Sequence, residues 1–288
     1  MKEKPIIEVD YIEAFGAIGS DPDIRDYRIA TTTIKATKTN FPNEFELAMP
    51  AIKNQGSVGS CVAHSLATII EYYNKKQHNE DAEMSVGYIY GNREATDYQG
   101  AGMITRNAIA NVCVDGDVPN TMFPFNEEVP EIIEKVKAAK DNLEESAFPF
   151  RFTSYLKVQT VDEIKTALMK GCPVAFAITW YKGATVKNGI LSTDFAEKSG
   201  GHCMVIYGWD ERGWKFQNSW GSKWGDDGCA ILPYDYQINE AYCVIDEFVG
   251  DIDIKKPFKA KTKFGKWLVR SLNKIYCFFY RIWYNIKY

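Results

Sequence analysis

The sequence predicts an α+β chain of two lobes, a helical first lobe and an antiparallel β second lobe, with a cleft between them. Two observations carry this. After a loop built from glycine and serine at 56–60, Leu66, Ile69, Ile70 and Tyr73 recur at helical spacing, which predicts a central, largely buried helix over 61–77. In the second half, the runs 173–180, 203–209, 213–216 and 229–232 are short, rich in β-branched and aromatic residues, and bounded by glycine and polar turns, as strands are. Helices followed by strands make two lobes, and their junction is where groups from each can meet.

The flanking elements follow in order. Residues 20–27 are polar and turn-rich and 31–39 are threonine-rich, so 1–40 read as an extended leader draped over a larger body. The apolar patches 86–90 and 103–112, split by Gly91, Gly100 and Gly102, predict short helices around a glycine loop. The proline-bounded stretch 119–130 is expected to be irregular. Residues 131–140 and 161–170 read as exposed amphipathic helices, the second ended by Gly171 and Pro173. The division is thus a leader at 1–40, a main domain at 41–250 (helical lobe 41–150, β lobe 151–250) and a tail at 251–288.

Composition narrows the function. The 288-residue chain is 45% hydrophobic and 25% charged, ordinary for a water-soluble fold with a sizeable core. A formal net charge of −4 excludes a generally basic nucleic-acid binder. The opening residues carry charges and no apolar stretch of a secretory signal, and no run of about 18 apolar residues occurs anywhere. Seven cysteines, an odd number at irregular spacing with no CxxC pair, predict reduced thiols and no zinc site. The expectation is a cytoplasmic protein with neither cofactor nor metal.

Cys61 is the residue to explain. A thiol in the first turn of a helix lies at the positive end of the macrodipole, which favours the thiolate. Of the three histidines, His64 falls where α-helical packing claims it and His78 lies in a charged run. His202 follows Gly200–Gly201 and is expected to open a strand at the lobe junction. The turn 210–213 then folds the chain back, so that Asn218 comes beside His202. A thiol nucleophile needs a base for its proton and a third group to hold the imidazole, and Cys61, His202 and Asn218 supply those types.

These residues carry a resemblance. NQGSVGSCVA is similar to the cysteine motif of the papain-like cysteine peptidases, and GGHCMVIYGWD with WKFQNSWGSKWGDDGCAILPYDY resembles their histidine strand and Asn-Ser-Trp-Gly motif. The likeness runs from Phe41 to Val249. It implies a papain-like two-lobe fold and a peptidase in which Cys61, His202 and Asn218 form a triad. Gln55, with the Cys61 backbone N–H, would hold the oxyanion. It further implies that Trp220 covers the Asn218–His202 hydrogen bond, and that Gly100, Gly102 and Met103 form the wall of the second subsite. Gly201, beside the histidine, joins them among the substrate-binding positions. The expected partner is a peptide or protein substrate. A peptide-binding module without cleavage, or another acyl transfer on the same fold, remain as alternatives.

The chain also departs from the family pattern. Val58 and Val62 stand where the family carries cysteine and tryptophan, so the disulfide that staples the first lobe of its relatives cannot form. The long pro-region of the secreted enzymes is not seen. The run Pro22-Asp23-Ile24-Arg25-Asp26-Tyr27 resembles instead the leader of bacterial, archaeal and viral members, and residues 1–40 are expected to act as a short pro-segment crossing or flanking the cleft. From Lys255 onward the tail holds ten basic residues and no acid, with Phe264, Leu268, Leu272, Ile275, Phe279, Ile282 and Ile286 at three- or four-residue spacing. This predicts a basic amphipathic helix for an anionic membrane surface, an acidic partner, or the acidic core of the chain itself.

Overall fold

A computed structural model of the chain describes residues 14–21, 23, 40–93, 101–125, 129–192 and 197–246. The expected tail helix, most of the leader and Gly100 lie outside the described residues. Among the described residues no helix is long and apolar enough to cross a membrane.

The helical lobe is built on α1 (Cys61–His78), buried without a break from Cys61 to Asn74. The predicted stripe is therefore one side of a helix enclosed on all sides in its first four turns. It ends where Asn79 takes the left-handed conformation (φ 56°) and its N–H bonds the Lys75 carbonyl, with Lys75, Lys76 and His78 in the last turn to complement the dipole. Around it lie α2 (Val86–Gly91), capped by the Ser85 side chain, and α3 (Thr105–Asp115). The third neighbour, α4 (Val129–Ala147), is longer than the sequence suggests at both ends. Pro130 is not outside a helix but in the first turn of this one, where a missing N–H costs nothing.

The leader contributes β1 (Ala17–Ile18), which pairs in parallel with β3 (Met103–Ile104), and β2 (Phe45–Glu46) joins the edge of the second lobe. That lobe contains β4 (Ser154–Lys157), α5 (Val161–Met169), β5 (Val174–Tyr181), β6 (Val186–Lys187) and β7 (Ile190–Leu191). It is completed by β8 (Lys198–Asp210), β9 (Gly213–Gln217), β10 (Cys229–Pro233) and β11 (Ile238–Ile245). The sheet order is β4-β11-β5-β8-β9-β10-β7-β6, with β2 also on β8. All these pairs are antiparallel except β10 with β7, so the expectation of an antiparallel lobe holds for the strands that carry its core. α5 opens with a full capping box between Thr160 and Glu163 and buries Ile164, Ala167 and Leu168.

Strand alternation divides the core. Ala175, Cys203, Val205, Tyr242 and Val244 face α1 and join its apolar residues. Their neighbours Val174, Phe176, Met204, Ile206 and Cys243 face the other way, toward α5, Trp209, Trp214 and Trp224. Tyr73 on α1 donates to the Val244 carbonyl at 2.7 Å, tying the lobes at the base of their junction.

One charged pair is enclosed in this packing. Lys53 Nζ sits 2.6 Å from Glu71 Oε1, an oxygen that also accepts the Met84 N–H at 2.7 Å. Burial raises the Glu71 carboxyl pKa while Lys53 opposes the rise. Removing one partner strands the other charge, so Glu71→Ala is expected to cost about 3 kcal/mol, read as a lowered midpoint in urea denaturation.

Candidate active site

The loop before α1 is a tight turn: Gly56 takes φ 56°, the Val58 N–H bonds the Gln55 carbonyl at 3.3 Å, and the Ser60 N–H bonds the Val58 carbonyl at 2.7 Å. Gln55 is fully buried beneath it. Its backbone N–H donates to the Ser219 carbonyl (2.8 Å), and its Oε1 accepts from the Ser219 hydroxyl (2.6 Å). That leaves Nε2 turned toward the cleft side, where it donates to the carbonyls of Val58 (2.9 Å) and Ala14 (2.6 Å). Ser219 thus fixes which end of the Gln55 amide faces outward.

The hairpin of β8 and β9 pairs Val205 with Gln217 and carries Asn218 back beside His202, as the sequence predicts. His202 Nε2 lies 2.7 Å from Asn218 Oδ1. The same Oδ1 accepts the Ser219 N–H at 2.8 Å, so it is an acceptor and Nε2 must carry the proton. Nδ1 is then the unprotonated nitrogen, and it is buried with no hydrogen-bond partner. Trp220 stacks on the imidazole at 4.5 Å and 23°, and Trp180 meets its edge at 5.5 Å. Burial among these rings lowers the His202 pKa to about 4 against the bond from Asn218. His202 is not the first residue of its strand, because β8 already begins at Lys198. Gly200 and Gly201 are strand residues, and they are glycines because the leader lies against them.

That leader segment runs through the cleft. The Gly16 N–H donates to the Gly201 carbonyl (3.1 Å), and the Gly16 carbonyl accepts from the Met103 N–H (2.7 Å). The approach is closer than a side chain allows: a Cβ on Gly16 would lie 1.8 Å from the Gly59 carbonyl oxygen, and one on Gly201 2.0 Å from that of Ala17. Phe15 packs edge-on to both His202 and Trp220. The Gly102 N–H is held by the Tyr90 hydroxyl at 3.2 Å, which sets the β3 edge in place.

A sequence profile of the papain family of cysteine proteases matches residues 41–249. The chain belongs to that family. Among its relatives, an uncharacterized peptidase C1-like protein of Acanthamoeba polyphaga mimivirus is 28% identical over 264 residues, which cover 78% of this chain and 83% of that protein. The viral cathepsin of Adoxophyes honmai nucleopolyhedrovirus is 26% identical over 212 residues, covering 66% of this chain but 55% of that protein. In fold, the chain is similar to xylellain, a cysteine protease from Xylella fastidiosa, with a TM-score of 0.70 at 24% identity over 85% of this chain and 100% of that one. This papain-family chain is therefore a cysteine peptidase on a two-lobe α+β fold, acting on peptide or protein substrates.

Several sequence readings take a definite place in this peptidase. Cys61, His202, Asn218, Gln55, Trp220, Gly201, Gly102 and Met103 all meet at the lobe junction. His64 does not join them: its Nδ1 is engaged by the Ser60 carbonyl (3.0 Å) and hydroxyl (3.2 Å), and Phe125 closes over its ring. Trp224 is a packing residue against Trp220 and Trp180. Val58 and Val62 are core residues, and Cys61, Cys203 and Cys229 carry free thiols. Among the described residues, no three His, Cys, Asp or Glu side chains converge as metal ligands. Sequence reasoning missed Ser219, Trp180 and Phe15. Ser219 stood inside the Asn-Ser-Trp-Gly motif and only its role was unread, whereas the contacts of Trp180 and Phe15 join distant parts of the chain and leave no local signal.

The Cys61 thiol reverses its expected behaviour. It is fully buried, and burial pushes its pKa up to about 11 although the backbone amides of Cys203 and Gly16 oppose the rise. With the leader in the cleft the thiolate is the minor form below that value, so its fraction climbs with pH. Alkylation of Cys61 by iodoacetamide in the full chain, followed by peptide mass spectrometry, is expected to accelerate about tenfold per pH unit between about pH 7 and pH 10. A rate that does not change over that range would contradict the buried thiol.

Proposed function

We propose that this peptidase cleaves peptide bonds through Cys61, His202 and Asn218, with Gln55 Nε2 and the Cys61 N–H as the oxyanion hole. The Cys61 proton passes to His202 Nδ1, and the sulfur attacks the substrate carbonyl carbon. Charge gathers on the carbonyl oxygen, where the two donors meet it. His202 then gives its proton to the leaving amine as the C–N bond breaks, leaving a thioester on Cys61. Water, deprotonated by His202, releases the acid and restores the thiol. Asn218 holds the tautomer that makes Nδ1 the proton acceptor, and the Trp220 ring keeps water from the His202–Asn218 bond.

The observation that carries this reading is the leader's own backbone. The Ala14 carbonyl accepts from Gln55 Nε2, and Gly16 bonds both Gly201 and Met103, so the cleft holds an extended peptide by the groups assigned to substrate. The endopeptidase reading is supported by the seating of an internal run of chain, residues 14–18, across these groups. We place its action in the cytoplasm, a reading supported by free thiols and by valine at position 58. Replacement of Cys61 by Ala is expected to abolish both peptide hydrolysis and labelling by a peptidyl epoxide. Persistent labelling that disappears only with Cys203 would reassign the nucleophile.

Residues 14–21 act, in the same reading, as a built-in inhibitor that must leave before substrate enters. The Gly16→Val chain cannot seat this segment against Gly59, and a loss of about 1.4 kcal/mol of leader contact corresponds to a tenfold gain in free cleft. Full-length Gly16→Val is expected to hydrolyse a short fluorogenic peptide about tenfold faster at first than the parent chain. An equal or slower initial rate would remove the inhibitory role.

A further inference from the structure

Two thiols meet at the seam of α1 and β8, and the scheme above uses only one of them. Cys203 follows His202 on β8 and so projects from the other face of the strand, toward α1, where it joins Cys61 in one apolar cluster. Both residues are fully buried. The Cys61 sulfur accepts the main-chain N–H of Cys203, and the Cys203 sulfur is in hydrogen-bond contact with the Ser65 side chain. Ser65 stands one turn beyond Cys61 on the same side of α1. The two sulfurs are therefore close neighbours on one side of the seam.

Packing alone does not call for sulfur here. Ala177, the cross-strand partner of Cys203, occupies the adjoining place in the sheet with a methyl group. A disulfide needs Cα atoms within about 7 Å of each other, and a sulfur resting on the partner's own amide keeps the two backbones near that range. Burial holds the Cys203 thiol well above its usual pKa, and the neighbouring charges of Cys61 and Glu240 add to the rise against the bond with Ser65. Cys203 is thus the less ionised, waiting partner. The leader governs access, because the Gly16 amide also rests on the Cys61 sulfur.

We propose that Cys61 and Cys203 form a peroxide-sensitive dithiol, in which hydrogen peroxide closes a disulfide between them and reversibly switches the peptidase off. The proposal rests on Cys61 as the nucleophile and adds a modification site to it. First the Cys61 thiolate attacks one peroxide oxygen. The O–O bond breaks, hydroxide leaves and takes up the proton that Cys61 released, and the sulfur becomes a sulfenic acid. The Cys203 sulfur then attacks the Cys61 sulfur. The S–O bond breaks, and its hydroxide leaves as water with the Cys203 proton. Both thiols are oxidised and the peroxide is reduced to water. The disulfide removes the nucleophile, keeps it from the irreversible sulfinic step, and is reopened by a dithiol reductant.

The test compares the parent chain and Gly16→Val, each with and without Cys203→Ala or Cys203→Ser. Each chain is treated with excess hydrogen peroxide, alkylated with iodoacetamide and digested without reduction for mass spectrometry. A peptide linked through Cys61 and Cys203 is expected in the parent chain and to form about tenfold faster in Gly16→Val. Hydrolysis of a fluorogenic peptide is expected to fall in step with it and to return under dithiothreitol. The Cys203 variants keep the main-chain N–H and are expected to start at the rate of their background. After the same treatment their Cys61 passes to sulfinic acid, and recovery under dithiothreitol falls about tenfold. Absence of the linked peptide from both parent and Gly16→Val overturns the proposal, as does equal recovery with and without Cys203. Hydrolysis before peroxide reports the peptidase reading separately, so intact cleavage without the linked peptide counts against the dithiol alone.

Discussion

The two hydrogen bonds accepted by Asn218 Oδ1, one from the Ser219 backbone and one from His202, are the constraint on which the rest of the site depends. The backbone bond identifies the oxygen, the oxygen fixes the imidazole proton on Nε2, and the fixed proton leaves Nδ1 as the unprotonated nitrogen. Ser219 reaches across the junction at the same time to orient the Gln55 amide. A single turn after β9 therefore sets the proton inventory on the β lobe and the donor geometry on the helical lobe. Neither setting needs a formal charge, which suits a pocket where burial lowers the His202 pKa to about 4.

Both lobes must be rigid for such a turn to work, and the packing supplies this. α1 is buried from Cys61 to Asn74, so the thiol stands at the start of an enclosed run of helix. β8 lies across it with Cys203 and Val205 inward, while the alternate residues pack on the second core. The position of Cys61 relative to His202 is thus set by two apolar cores and not by the loop that connects glycine to serine. The loop is free to be shaped by its contact with peptide, and Gly59 meets the leader backbone directly.

Much of this was legible in the residues themselves. The helical spacing of Leu66, Ile69, Ile70 and Tyr73, and the short β-branched runs of the second half, are local signals that tertiary packing reinforced. The residues that meet at the lobe junction were legible because their chemistry is specific and their motifs are short. Two failures share one cause. His202 read as the opening residue of its strand, and Cys61 read as an acidified thiol, because each inference used only near neighbours in the chain. Distant parts of the chain override both: the leader backbone demands glycine within β8, and burial of the sulfur outweighs the helix dipole. A contact between residue 16 and residue 201 has no sequence period, so no reading of periodicity could find it.

The fit between Gly16 and Gly59 has a consequence for how such a pair can change over time. The atom that forbids a side chain at position 16 is a main-chain oxygen, which every amino acid possesses. No replacement at position 59 can make room, and the same holds for Gly201 against the Ala17 carbonyl. Ordinary interfaces drift by paired exchanges of large for small, but here neither side has a residue to exchange. The strip of bare backbone admits only loss of the leader or its preservation.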